Sequence, residues 1–447
     1  MKSHLKAVIA LYERLYSLRE TVPNDDASEE QLAAVNLFRF ASFRLPAAAD
    51  KKPLIGFSLM KAAMMRCLRS PVNSLNLEKA EGIIISSSSC DHSNAQHYIR
   101  SMSGKNNLAY LIKDKLSFRA EFSAAEWIRW FFFAFRQSFR AMVSPHRSNV
   151  ALTIIEVLEI SLVLKWLHAH KLNEIYDFVP FEVDSNAMFL STRAQGARTT
   201  KIPSPGPLST HNKIMLCDAL VLSGGYHFEE IDQLRRHYRI GNFLSWPPER
   251  AHTYYDLYTK EKGVVTPKML GFYSHGEWIR MKNGLIKGNT SLLHAEEDAL
   301  RLLGVFLKEH PDFRLTIYPH PKERKSCSIK ELEDYYSQMT GASAIHIADA
   351  SKGTTFRFRE SDIAITCYST IIFERLYAGF KTIIKRIEGH DFPLATSPLN
   401  HICFDDYAQL SALIMDVTKK SNGQFIEMYR LEKYVYPNFP SPINKNE

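Results

Sequence analysis

The chain of 447 residues is 45% apolar and 23% charged, a balance that excludes a disordered or fibrous polypeptide and predicts a globular protein of two or three domains. Its formal net charge of +8 suits an anionic partner: a nucleotide, an acidic glycan, a phospholipid surface or a nucleic acid. No run of about 18 uncharged apolar residues occurs, so no spanning helix is expected. The six cysteines (67, 90, 217, 327, 367 and 403) show no metal-ligand spacing and fit reduced thiols of a cytosolic protein.

In chain order, residues 4–20 and 28–44 read as helices, separated by Asn24-Asp25-Asp26 and a Ser28-x-x-Gln31 capping pattern. The first resembles a signal peptide only until Glu13 and Arg14 interrupt it, so an amphipathic helix is the expectation. Gly82–Ser86 reads as a buried strand running into the polar loop 87–94, and 107–113 as another. Residues 124–143 and 150–170 read as long helices. The first of these combines Trp127, Trp130 and several phenylalanines with Arg129, Arg136 and Arg140. That composition suits a helix lying on an anionic membrane surface; a buried helix with snorkelling arginines is the alternative. Tyr176–Glu182 reads as a strand and Lys213–Leu222 as a further element. A carboxylate past a strand end is placed to act as a general base. Glu182 and Asp184 are the candidates here, with Asp91 after the strand Gly82–Ser86 as their rival; a solvated loop is the alternative.

The Pro- and Tyr-rich passage from Ser245 to Gly263 marks a domain boundary. Beyond it the pattern alternates cleanly. A strand falls within Val264–Tyr273, a helix over Leu292–Glu309, a strand over Phe313–Tyr318 and a helix over Ile329–Met339. Strands follow at Ala344–Ile347 and Asp362–Cys367, then a helix over Thr370–Gly379, a strand over Thr382–Lys385 and a helix near 423–434. Such alternation implies right-handed crossovers and a doubly wound parallel sheet. The expected division is 1–263, an N-terminal acceptor-side domain with added helices; 264–420, a C-terminal donor domain; and 421–447, a helix and tail.

Two strand ends in the second half carry the chemistry. Pro319-His320-Pro321-Lys322 follows one, and the flanking prolines stiffen the backbone that aims the imidazole. Tyr368-Ser369-Thr370 follows another and opens a helix. Ligands of open α/β sheets bind beyond the carboxyl ends of the strands, and a helix N-terminus with hydroxyls favours an anion. A turn with an incidental histidine and an ordinary N-cap are the plain alternatives. Glu374, one turn into that helix, is placed either to accept from ribose hydroxyls or to be solvated. The turn Gly271–Glu277 adds His275 and Gly276 as candidate contacts.

These motifs resemble bacterial GT-B glycosyltransferases of surface-polysaccharide assembly, among them the sialyltransferase and polysialyltransferase families and the teichoic-acid glycerophosphotransferases. His320-Pro321 after one strand, and Ser369-Thr370 after Asp362-x-x-Ile365-Thr366, carry the resemblance. So does Ser369-Thr370-x-x-x-Glu374 followed by Tyr377-Ala378-Gly379-x-Lys381-Thr382-Ile383. Where that family often has an aspartate, a tyrosine and two serines, this chain has Cys367 and Thr370 at the first and last positions. The resemblance covers mainly 264–386. It implies an α/β, GT-B-like fold of two Rossmann-like domains facing a cleft. It also implies a CMP- or CDP-linked sugar donor whose phosphates meet His320, Ser369 and Thr370.

The expectation is therefore a metal-independent transferase without a cofactor, working in the cytoplasm or peripherally at the inner membrane. It would use a nucleotide-sugar donor and a glycan or lipid-linked glycan acceptor. A GT-B nucleotide-sugar epimerase is the alternative enzyme. A nucleic-acid-binding protein is the alternative outside catalysis, although no RNP aromatic pattern, zinc spacing or Arg-rich stripe supports it.

Overall fold

The computed structural model describes residues 3–20, 26–39, 52–67, 80–86, 92–112, 116, 118, 122–179, 184–203, 214–223, 227, 238–246, 268–283, 290–342, 345–349, 354–390, 392–393 and 396–435. Among these residues twelve strands form two six-stranded sheets. The first holds β1 (Gly82–Ser86), β2 (Leu108–Ile112), β3 (Glu174–Asp177), β4 (Arg198–Lys201), β5 (Met215–Leu222) and β6 (Tyr238–Ser245), in the order β2-β1-β3-β4-β5-β6. The second holds β7 (Met269–Tyr273), β8 (Arg314–Tyr318), β9 (Ile345–Ile347), β10 (Ile363–Thr366), β11 (Thr382–Lys385) and β12 (Cys403–Phe404), in the order β12-β11-β10-β7-β8-β9. Every pairing is parallel. The arrangement is GT-B-like: two doubly wound parallel sheets, one from each half of the chain. The boundary passage 247–267 lies outside the described residues.

The strands are apolar on both faces because both faces are covered. In β7, Leu270 and Phe272 enter one core and Tyr273 another; in β8, Leu315 and Ile317 part from Tyr318 in the same way. β1 divides likewise, with Ile83 and Ile85 on one side and Ile84 on the other. The helices Ser291–Glu309 and Ile329–Thr340 pack so closely in the second half that a Cβ on Gly304 would lie 1.7 Å from the Thr340 carbonyl oxygen. No larger residue fits there without moving a helix.

In the first half, helix Arg147–His170 is buried around most of its circumference. Helices His4–Ser17, Glu29–Arg39, Ile55–Cys67 and Ala124–Val143 pack about it. Helices were expected near 4–20, 28–44, 124–143 and 150–170; helix Ile55–Cys67 was not. The Ser28 capping box forms as expected: Gln31 N donates to Ser28 Oγ at 3.2 Å and Ser28 N to Gln31 Oε1 at 2.8 Å.

Several expectations are corrected. The strand expected over Tyr176–Glu182 runs Glu174–Asp177 instead. Asp177 ends it, accepting from Val179 N at 2.9 Å and Ser185 Oγ at 2.6 Å. Helix Ser185–Arg193, β4 and β6 carry no strong periodicity and were not expected. The last helix stops at Met428, where Arg430 turns to positive φ.

Candidate active site

In the second sheet β7, β8 and β9 run out one way from the centre, and β10, β11 and β12 the other. The strand order reverses between β7 and β10. Open α/β sheets bind ligands beyond the strand ends at such a switch point. The segments after β7, β8 and β10 emerge there side by side. Ser274 N donates to Tyr318 O at 3.2 Å, and Thr366 Oγ1 to Tyr273 O at 2.9 Å, so the three strand ends are tied together. β7 lies between β8 and β10, so His320 and Ser369 leave the sheet two strand spacings apart, roughly 10 Å. The turn 274–276 stands between them.

That turn requires its glycine. Gly276 has φ 68°, and a Cβ there would meet Glu323 Cγ at 3.0 Å and His320 Cβ at 3.1 Å. His275 and His320 are thereby brought together. Glu296, buried beneath the turn, accepts from His275 N at 2.5 Å and Glu277 N at 3.3 Å. Burial raises its carboxyl to about 8. The Nε2 of His275 is buried and has no hydrogen-bond partner among the described residues. Its ring stacks on Tyr368, centroids 6.4 Å apart.

His320 occupies the N-cap of the short helix Pro321–Ser326. Its Nδ1 accepts from Lys322 N at 3.1 Å, and its own N–H donates to Glu323 Oε2 at 2.5 Å. With Nδ1 an acceptor, the proton of the neutral ring sits on Nε2. Nε2–H has no partner among the described residues and is a donor available to a ligand. Glu323 is fully buried and also receives Tyr336 OH at 2.6 Å and the indole N–H of Trp278. Lys322 is exposed beside the site.

On the β10 side, Ser369 caps helix Thr370–Tyr377, its Oγ accepting from Ile371 N at 3.3 Å. Its O–H has no acceptor among the described residues. Thr370 is the first helical residue and half-buried. Glu374 is buried rather than solvated. Arg280, on the helix that follows Gly276, donates to Glu277 Oε1 at 2.7 Å. Burial raises Glu277, and Arg280 opposes that rise.

Burial, reinforced by Arg280, lowers His275 to about 3 and His320 to about 4; His320 also feels Lys322. Both imidazoles are neutral at pH 7 in the fold but take up protons in the unfolded chain below about 6.5. The unfolded state then binds more protons between pH 6.5 and about 4, so stability rises with pH across that window and is lost as pH falls through it. His320→Asn removes one titrating group. Its melting temperature should fall less steeply than wild type between pH 6.5 and 4, and an equal slope would show that His320 is not buried as a neutral ring.

The first sheet has its own reversal between β1 and β3. Asp91 and Glu182, in the segments after those strands, lie outside the described residues. Asp184 is completely buried, next to helix Ser185–Arg193, and its charge bears on Tyr12, which also donates to Glu156 Oε2 at 3.3 Å. The residue at the end of β3 is Asp177. Beside it Lys201 Nζ donates to Asn186 Oδ1 at 2.8 Å. Arg280, Glu296, Glu323 and Arg375 were missed by sequence reading. Only Glu323 carried a local signal, three residues past an N-cap.

The chain matches no family model and no curated protein. Among solved structures it is similar to the UDP-GlcNAc 2-epimerase of Neisseria meningitidis bound to UDP-GlcNAc. Identity is 9%, over 79% of this chain and 95% of that one, with a TM-score of 0.44. It is similar to the wall teichoic acid polymerase TagF at 11% identity, over 83% and 87%, with a TM-score of 0.40. It is also similar to the lipopolysaccharide outer core galactosyltransferase WaaB at 10% identity, over 78% and 94%, with a TM-score of 0.42. At these levels the likenesses assign no activity, and the GT-B-like description rests on the two sheets themselves.

Proposed function

We propose that this chain is a glycosyltransferase of the GT-B type, moving a sugar from a nucleotide-activated donor, CMP- or CDP-linked, to a bacterial surface-glycan acceptor. One observation carries the reading. At the switch point of the second sheet the segments past β8 and β10 carry the Nε2–H of His320 and the Ser369 hydroxyl at a helix N-terminus, with the buried His275 in the turn between them. Neutral donors and a helix dipole around one turn suit a phosphate. The donor phosphates lie across the turn 274–276, with His320 and Lys322 on one side and Ser369 and Thr370 on the other.

In the transfer the acceptor oxygen bonds to the anomeric carbon and the bond from that carbon to the phosphate oxygen breaks. The electron pair leaves with the phosphate, where preorganised donors stabilise the growing charge. The acceptor proton passes to a carboxylate of the first half. Glu182, five residues beyond the end of β3, is assigned this role, with Asp91 its rival.

The test is thermal protection by CMP, CDP and UDP. A ligand that binds only the folded state raises the melting temperature in proportion to the logarithm of its concentration. A cytidine nucleotide should protect wild type, and Glu182→Gln should keep the protection while losing turnover. No protection by any of the three, with steeply salt-dependent binding to a polymer, would mark a nucleic-acid binder instead. Isomerisation of a UDP-sugar without an acceptor would mark an epimerase.

A further inference from the structure

Helix Ala124–Val143 is apolar on two sides. Trp130, Phe133, Ala134 and Ala141 enter the core, with Trp130 Nε1 donating to Ile154 O at 2.9 Å. Ile128, Phe131, Phe132, Phe135, Phe139 and Val143 recur at helical spacing on the opposite side and are exposed, Phe132 by 64% and Val143 by 83%. Helix Ile55–Cys67 packs alongside, so closely that a Cβ on Gly56 would lie 2.6 Å from Ser138 Cα. It extends the same surface. Phe57 sits edge-on to Phe135 and Phe139, centroids 6.1 and 5.7 Å away, while Met64 and Met65 are exposed nearby. Scattered surface hydrophobes need no explanation, but a continuous row of this length marks a docking surface.

The charges identify the partner. Arg129, Arg136 and Arg140 fall along one edge of the row by their spacing, and Lys52 and Lys61 are exposed at the neighbouring helix. Helix Ile55–Cys67 contains no Asp or Glu. The single acid of helix Ala124–Val143, Glu126, is buried on the core side, bonded to Ser123 and to Lys165 at 3.2 Å. Glu13 is the one acidic neighbour described, pairing with Arg136 at 3.3 Å and Arg140 at 2.8 Å. Two copies meeting through this face about a two-fold axis would set its cations against one another with no acids of the face between them. No described helix is long and apolar enough to cross a membrane. A helix pair with an apolar face and a basic edge lies in the plane of the headgroups instead.

We infer that the exposed face of helices Ile55–Cys67 and Ala124–Val143 docks on an anionic lipid bilayer. The phenylalanines and methionines enter the headgroup boundary, to a depth of about 5–10 Å, and Arg129, Arg136, Lys52 and Lys61 meet lipid phosphates. This does not rest on the transferase reading.

The experiment is flotation of the full chain with phosphatidylcholine vesicles, with and without phosphatidylglycerol. Wild type should float with the anionic vesicles and be released at 1 M salt, where screening reaches within about 3 Å. The triple variant Phe131→Ser, Phe132→Ser, Phe135→Ser should lower the partition coefficient at least about tenfold. Arg129→Gln and Lys61→Gln should each lower it roughly fivefold. These side chains are exposed, so a cooperative melt near that of wild type checks the fold. Absent or salt-insensitive flotation, or flotation unchanged in the triple variant, would overturn the inference. So would a dimer, seen by sedimentation velocity without lipid, that the triple variant dissolves, since a second copy would then cover the face.

Discussion

Turnover should fall by about 10²–10³-fold when His320 is replaced by asparagine, with the melting temperature nearly unchanged. The magnitude is that of removing one preorganised donor from a site of developing charge. The choice of residue matters because His320 has two tasks. Its Nδ1 caps the helix Pro321–Ser326 by accepting from Lys322 N, while Nε2–H has no partner among the described residues. Asparagine is a good N-cap and keeps the first task; it is too short to put a donor where Nε2 stands. Alanine removes both tasks, so His320→Ala should lose the same activity and about 1 kcal/mol of stability besides. Both variants should also lose protection by cytidine nucleotides. If His320→Asn turns over like wild type while His320→Ala does not, the histidine is a helix cap, and the phosphate site must be sought on the Ser369 side alone.

The second half of the chain was the more legible because its strands are short, continuous apolar runs separated by amphipathic helices. The runs expected over Phe313–Tyr318, Asp362–Cys367 and Thr382–Lys385 match β8, β10 and β11 to within a residue at each end, and the polar residues just past two of them lie at the switch point. The sequence did not show that β7 would come between β8 and β10. That order follows from which strands pair, a long-range property that local patterning does not encode, and it promotes the turn 274–276 from a side feature to the middle of the site. The buried charges Glu296, Glu323 and Arg375 lie in helices at positions that read as surface, since their partners come from elsewhere in the chain.

In the first half, short strands such as Arg198–Lys201 and the half-exposed Tyr238–Ser245 lack the apolar run that marks a central strand. Helix Ala124–Val143 was legible in extent, to the residue, but its composition left open whether a core or a membrane takes the aromatics. The structure divides them: Trp130 and Phe133 go inward, Phe131, Phe132, Phe135 and Phe139 outward.

Replacing Arg375 by methionine should cost about 2–4 kcal/mol of stability, the order expected when buried carbonyls lose their donors. Arg375 is completely buried in helix Thr370–Tyr377. Its Nη1 donates to Tyr273 OH at 3.0 Å, Phe358 O at 3.0 Å and Ser361 Oγ at 3.3 Å, and its Nη2 to Ser361 O at 3.4 Å and Lys381 O at 3.2 Å. The rings of Tyr273, Phe358 and Phe380 surround the guanidinium at 5.5, 5.2 and 5.2 Å. Methionine fills much of the volume but leaves the Phe358 and Ser361 carbonyls without these donors in a dry interior, where each unsatisfied group costs about 1–3 kcal/mol; the Lys381 carbonyl keeps Ala364 N as a donor at 3.1 Å. Relief from desolvating the guanidinium offsets part of that cost, which keeps the net value below the sum. Lysine should do little better, because one ammonium cannot reproduce a planar fork with partners on several sides. The loss should reach the site as well. Tyr273 is the last residue of β7 and leads into the turn that carries His275 and Gly276, while Arg375 belongs to the helix that Ser369 caps. The guanidinium thus holds two of the three strand ends in register, and Arg375→Lys should bind cytidine nucleotides more weakly even at temperatures where it is fully folded. Urea unfolding of the methionine variant gives the first check and nucleotide titration of the lysine variant the second. A methionine variant that unfolds at the wild-type urea midpoint would show that the carbonyls find other donors and that Arg375 does not organise the site.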